Sequence, residues 1–141
     1  MYDKVLVAVD HSEVSARVLA AARDLALLSK GEVWVLHLRE REVVPRLGLV
    51  PVESDADAEA AVTSAVESLN AAGVRAHGEV RDTVFGHAAR EIIEDARQHQ
   101  ADVIVMGSRG LGRIKRALLG SVSDYVLRSA PCPVVISGPA D

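Results

Sequence analysis

The sequence predicts an α/β fold: a doubly wound, open five-stranded parallel sheet, strand order 3-2-1-4-5, with helices on both faces. Three observations carry this expectation. Five short runs rich in Val, Ile and Leu recur along the chain, stretches of helical periodicity separate them, and two of the runs are apolar throughout. Strands that alternate with helices build a parallel sheet, and a parallel strand buried on both faces reads as a continuous apolar run. If the chain starts in the middle of the sheet and later crosses over, its first and fourth strands are neighbours and flank a crevice.

The elements follow in order. Lys4 to Asp10 is the first strand. Ser12 can cap the helix after it, with Glu13 in the first turn favoured by the helix dipole. Val14, Val18, Leu19, Ala22, Leu25 and Ala26 recur at helical spacing up to Ser29, and Gly31 suits a C-terminal cap. Glu32 to Leu38 is a second buried strand. From Arg39 to about Glu53, Pro45, Gly48 and Pro51 interrupt any period, so a long surface loop is expected. Ala56 to Ala72 places Ala61, Val62, Ala65, Val66 and Leu69 on one helical face, ended by Gly73. Val74 to Val80 is a more polar strand, expected at an edge. Gly86 to Gln98 is helical, Asp102 to Met106 is the fourth strand, Ser121 to Ser129 a helix, and Val134 to Ile136 the fifth strand.

The chain of 141 residues fits one domain spanning 1–141, with no repeat or linker. Hydrophobic residues make up 49%, enough for a core, and the single cysteine, Cys132, forms no internal disulfide, as a reducing compartment permits. The N-terminal apolar run is broken by Asp10 and is too short for a signal core, and no stretch approaches the ~20 apolar residues of a membrane span. A cytoplasmic protein without a membrane partner is expected. The net charge of −4 argues against nucleic acid as a partner.

Two strands end in turns rich in polar residues or glycine. The first gives Asp10-His11-Ser12, and the fourth gives Gly107-Ser108-Arg109-Gly110-Leu111-Gly112. Glycine removes the Cβ that would obstruct inward-pointing amides and permits positive φ, which is what a phosphate cradle needs. A further glycine, Gly120, precedes Ser121-Val122-Ser123 at a helix start, where free amides and a partial positive charge make an anion site. Between Gly107 and Ser123 lie the cations Arg109, Arg113, Lys115 and Arg116 and no acid. Composition alone leaves two readings open: an anion-binding loop, or turn glycines beside a solvated basic face. The dinucleotide fingerprint would follow the first strand, and the P-loop lysine before Ser or Thr is absent, so neither of those loops is present.

Over essentially the whole chain these residues resemble the universal stress proteins. The resemblance rests on Lys4 to Glu13, Val35-Leu36-His37-Leu38, Ala101 to Gly110 and Ala130 to Ile136. The ATP-binding subgroup of that family has the spacing Gly, two residues, Gly, nine residues, Gly, Ser or Thr, met here by Gly107, Gly110, Gly120 and Ser121. The resemblance implies ATP as ligand, with Mg²⁺ accompanying the phosphates, and Asp10 is a candidate contact for it. It implies that Ala8 and Val9 line the adenine side, Asp10 reaches the ribose, and Leu38 offers backbone groups to the adenine edge. Met106, Gly107, Arg109 and Gly110 would wrap ribose and phosphates, and Gly120, Ser121, Val122 and Ser123 would hold the phosphates. A homodimer through Pro133 to Ser137 is also implied. The chain departs from the family at Thr83 to His87, which lacks a Gly-x-Pro entry, and in the acidic stretch Asp55, Asp57, Glu59.

Other residues with chemical potential read more plainly. His37 in an apolar strand is expected to be a core or crevice residue. His11 is equally a phosphate contact or a solvated turn residue. His77, His87 and His99 show no metal-ligand spacing, and Cys132 between two prolines reads as a packed thiol. Three functions from different classes are compatible with these residues to different degrees. A nucleotide-binding regulatory or stress-response protein leads. An ATP-using enzyme lacks a general base and a P-loop lysine, leaving slow hydrolysis or self-phosphorylation on Ser121 or Ser123. A phosphoacceptor receiver domain would have Asp82 available but lacks the acidic cluster and the lysine.

Overall fold

A computed structural model describes residues 1–9, 14–51, 54–84, 86–108 and 121–138. In it β1 (Lys4–Val9) is the central strand, hydrogen-bonded in parallel to β2 (Glu32–Val44) on one side and β5 (Val103–Gly107) on the other. Outside β2 lies β4 (Arg75–Val84), and outside β5 lies β6 (Val134–Ser137), both parallel to their neighbours. The five parallel strands therefore stand in the expected order 3-2-1-4-5. Four helices cover them: α1 (Val14–Ser29), α2 (Asp55–Ala71), α3 (Ala88–Gln98) and α4 (Ser121–Ser129).

Alternation along the strands builds two cores. Val5, Val7, Val33, Val35, Val103 and Val105 point to one face, where they pack with Val18, Ala22 and Ala26 of α1 and Ala65 and Leu69 of α2. Leu6, Leu36, Leu38, Ile104 and Met106 point to the other, against Ala89, Ile92, Ile93 and Ala96 of α3 and Val126 of α4. Burying each of the larger side chains contributes about 1.5–3 kcal/mol, so both helical layers are held by the strands' own pattern. Gly78 lets α2 approach β4 closely, because a Cβ there would stand 2.3 Å from Val62 Cγ1 and 2.9 Å from Val66 Cγ2.

The segment expected to be a surface loop is instead a hairpin. β2 continues to Val44, a turn with Arg46 and Gly48 at φ 72° and 76° reverses the chain, and a short strand, β3 (Gly48–Pro51), returns antiparallel to it. The apolar period fails there because two inward positions hold arginines. Arg39 is only 7% exposed and clasps its cross-strand partner Asp82 with two hydrogen bonds, 2.7 and 3.1 Å. Arg41 donates to the same carboxylate, and Asp55 at the start of α2 pairs with Arg39. The same pairing carries β4 four residues past its expected end at Val80, to Val84.

Helix boundaries hold with local adjustments. Gly86 takes φ 92° and so lies outside α3, which opens at Ala88. Ser54 caps α2, its Oγ accepting from the Asp57 amide at 3.1 Å. The left-handed residue ending α1 is Lys30 (φ 54°) and not Gly31. Gly31 is required for a different reason: a Cβ on it would lie 2.3 Å from the Tyr2 carbonyl oxygen and 2.8 Å from that of Asp3. The Ser12 cap expected for α1 falls outside the described residues.

Candidate functional site

The carboxyl ends of β1 and β5 lie side by side at the point where the chain order reverses, with α1 and α4 on opposite faces of the sheet there. Open parallel sheets bind ligands in this crevice. Val9 is paired with His37, the last β1–β2 partnership, and Gly107 ends β5 beside Ser137 of β6. Arg41 has Val84 on one edge and Pro51 on the other, so β3 occupies the same edge of β2 as β1 does, beyond the end of β1. The β2–β3 hairpin thus borders the crevice on its β2 side. Leu38 falls in the interval between the two registers, His37 with β1 and Arg41 with β3.

Of the twelve residues expected to contact nucleotide, eight are described, and all eight lie on the elements around this crevice. Ala8 and Val9 finish β1, Leu38 follows on β2, Met106 and Gly107 finish β5, and Ser121, Val122 and Ser123 form the first turn of α4. Asp10, Arg109, Gly110 and Gly120, and His11 beside them, fall outside the described residues. Met106 and Leu38 are 2% and 3% exposed with their side chains in the α3–α4 core, so what they can offer a ligand is backbone. Ser123 is buried and its hydroxyl donates to the Ser108 carbonyl at 3.0 Å. That bond ties the start of the glycine-rich segment to the start of α4. It also commits the Ser123 hydroxyl proton. Ser121 is exposed. A cleft of about 230 Å³ opens on the α3 side of the same helix turn, lined by Gly86, His87, Arg90, Ser121 and Val122 among others.

His37 is buried, with Nδ1 3.1 Å from the Val9 carbonyl oxygen. It fixes the end of β1 from within, in keeping with a crevice residue. Burial raises the pKa of the half-buried Cys132 thiol, assisted by the Asp102 charge, which suits a packed thiol and opposes a nucleophile. Asp82 has its carboxyl pKa lowered, first by the Arg39 hydrogen bond and, against an opposing desolvation, also by Arg41. A carboxylate clasped by two guanidiniums is a poor phosphoacceptor, which argues against a receiver domain.

A cluster that the spacing did not announce lies on the other side of β4. His77, Glu79 and Arg81 alternate on its α3 face, opposite Asp95 and His99 of that helix and its cap. One ligand atom each from Glu79, Asp95 and His99 lies within 4.8 Å of the others. The two carboxylates come from different elements, so spacing in sequence conceals them. The signals available were Asp95 and His99 one helical turn apart and Glu79 on the strand face shared with His77.

With this geometry in place, comparison with known proteins is informative. The universal stress protein family model matches residues 1–137. The universal stress protein YxiE of Bacillus subtilis is 32% identical over 151 residues, covering 96% of this chain and 99% of its own. MJ0577 of Methanocaldococcus jannaschii superposes with a TM-score of 0.81 at 23% identity, over 100% of this chain and 99% of its own, a likeness of fold. A universal stress protein from Archaeoglobus fulgidus, solved in complex with dAMP, has a TM-score of 0.74 at 26% identity, with 96% and 97% covered. Among the described residues, no helix is long and apolar enough to cross a membrane.

Proposed function

The chain belongs to the universal stress protein family, and from that premise we propose that it is a cytoplasmic nucleotide-binding regulatory protein. It holds ATP, accompanied by Mg²⁺, in the crevice between β1 and β5 and acts as a homodimer in the response to stress. The observation that carries this reading is the spacing Gly107, Gly110, Gly120, Ser121, with Gly107 at the carboxyl end of a central strand and Ser121 at the start of α4. Backbone amides at a helix start and a glycine-lined approach suit phosphate. Leu38, in the interval between the β1 and β3 registers, suits backbone recognition of the adenine edge. That a relative of similar fold has been solved with dAMP supports an adenine nucleotide in particular.

The fit to the triphosphate rests on the described part of the site: Gly107 carries no side chain into the approach, and the first turn of α4 has amides to give. Mg²⁺ would be held through the phosphates, with Asp10 as its candidate protein contact. Hydrolysis or self-phosphorylation is the weaker reading. The Ser123 hydroxyl is engaged by the Ser108 carbonyl, which leaves Ser121 as the acceptor for such a step.

The test is nucleotide binding by the purified chain. It should take up about one ATP per chain in the presence of Mg²⁺, measured by calorimetry. Gly120→Val places a β-branched side chain where phosphate must approach and should abolish uptake while the circular dichroism spectrum stays unchanged. No uptake by the wild type at millimolar ATP would overturn the function. Uptake by a folded Gly120→Val protein equal to that of wild type would overturn the site.

A further inference from the structure

We propose a second, independent ligand site: a divalent transition ion such as Zn²⁺, held by Glu79, Asp95 and His99 at the seam between α3 and the edge strand β4. The donors are one imidazole and two carboxylates, a set that suits Zn²⁺ and its neighbours in the first transition row better than Mg²⁺ or Ca²⁺. Their ligand atoms lie within 4.8 Å of one another. Tetrahedral bonds of about 2.0–2.1 Å separate ligand atoms by about 3.4 Å, so closing on an ion asks for a shift of about an ångström, within reach of the Glu79 torsions.

Unmet polar atoms point to the ligand. Asp95 is 0% exposed, and only its Oδ1 has a donor, the Arg81 guanidinium at 3.1 Å. Its Oδ2 is buried without a hydrogen-bond partner, and so is Oε1 of Glu79. When both carboxyls are ionised their oxygens only accept and leave each other unsatisfied, and a cation satisfies both at once. The charges agree. Glu79, Glu91 and Asp95 face one guanidinium, Arg81, so three carboxyl groups share a single cation.

The third ligand is held in place. The His99 ring packs tilted against Trp34 with centroids 4.1 Å apart, and its Nδ1 is 3.1 Å from the Asp95 carbonyl oxygen. His77 lies on Trp34 as well, at 4.6 Å, with Nε2 3.6 Å from Glu32, and it is half-exposed on the strand edge. Glu79 and His99 are themselves partly exposed, which leaves a path from solvent. Support from a carbonyl and a packed ring is the kind of outer shell that orients a metal-binding histidine.

The experiment is a Zn²⁺ titration of the chelator-treated protein, without nucleotide, followed by calorimetry. Wild type should bind about one equivalent at this seam. Glu79→Gln and His99→Ala should each weaken uptake about tenfold or more, while His87→Ala, outside the cluster, leaves it unchanged. Glu79→Gln keeps the shape of a partly exposed side chain, so it serves should His99→Ala unfold. No uptake up to millimolar Zn²⁺ would overturn the proposal and leave a proton shared between the carboxylates as the reason for the unmet atoms. Uptake unaffected by Glu79→Gln and His99→Ala would overturn it by placing the ion elsewhere.

Discussion

At the scale of single residues, two carboxylates are perturbed in opposite directions, and their effects on stability fall in separate pH windows. Asp82 is lowered by Arg39 and Arg41, so its contribution is complete above the ordinary carboxylate value of 3.8 and fades only as pH falls below it. Asp95 is raised to about 8, so the folded chain keeps a proton that the unfolded chain sheds near 3.8. The folded state then binds more protons across that interval, and stability falls as pH rises from about 4 to 8. Asp95→Asn keeps the shape, has no charge to desolvate, and can donate to Glu79 while accepting from Arg81. In chelator-containing buffer it should gain on wild type as pH rises, becoming more stable by the order of a few kcal/mol at pH 8, with little difference near pH 4. Thermal melts of both proteins from pH 4.5 to 8.5 check this. A constant gap across that range would show that Asp95 does not titrate within it.

At the scale of elements, α1, α2 and α3 end alike. The amides of Gly31, Val74 and Ala101 donate to the carbonyls of Ala26, Leu69 and Ala96 at 2.9, 3.0 and 2.9 Å, and the residue before each amide is left-handed. At α2 that residue is Gly73 (φ 87°), but at α1 and α3 it is Lys30 (φ 54°) and Gln100 (φ 53°), each paying the steric cost of a Cβ in that region. Lys30→Gly and Gln100→Gly should each stabilise by about 0.5–1 kcal/mol in urea denaturation, after the greater unfolded-state freedom of glycine is deducted. Because α1 and α3 cover opposite faces of the sheet, the double substitution should be additive. The sequence made the wrong one of two neighbours the cap here, since Gly31 is fixed by the Tyr2 and Asp3 backbones pressing on it. The parallel strands and helices were legible because burial on both faces writes long apolar runs, as in Val103 to Met106. The β2–β3 hairpin was not, because Arg39 and Arg41 stand at strand positions that depend on Asp82, which lies 43 residues from Arg39 in sequence and directly across from it in space. The crevice proposed for nucleotide was suggested by a local signal, glycine spacing that resembles the family's. The Glu79, Asp95 and His99 seam could not, because it exists only once α3 lies on β4.

At the scale of the whole molecule, the sheet has two unlike edges. β4 presents Arg75, His77, Glu79 and Arg81 along its length, charged side chains of the sort that discourage a further strand. β6 is Val134-Val135-Ile136-Ser137, half-buried throughout, hydrogen-bonded to β5 on one side and with no strand on the other among the described residues. An apolar edge of this kind is the natural place for a symmetric pairing with a second copy, since one isologous contact covers both edges. The ladder says which atoms would make it. The Ile104 amide donates to the Pro133 carbonyl and the Ser108 amide to the Ser137 carbonyl, so the odd-numbered residues of β6 bond inward and the amides of Val134 and Ile136 face out. Ile136→Pro removes an outward donor without taking a bond from β5, whereas Ile136→Ala shortens the side chain and keeps the donor. By light scattering after size exclusion, wild type and Ile136→Ala should elute at twice the 15.0 kDa chain mass. Ile136→Pro should elute as a folded monomer with unchanged helical circular dichroism. A monomeric wild type at micromolar concentration would remove the dimer altogether, and a dimeric Ile136→Pro protein would move the interface off β6.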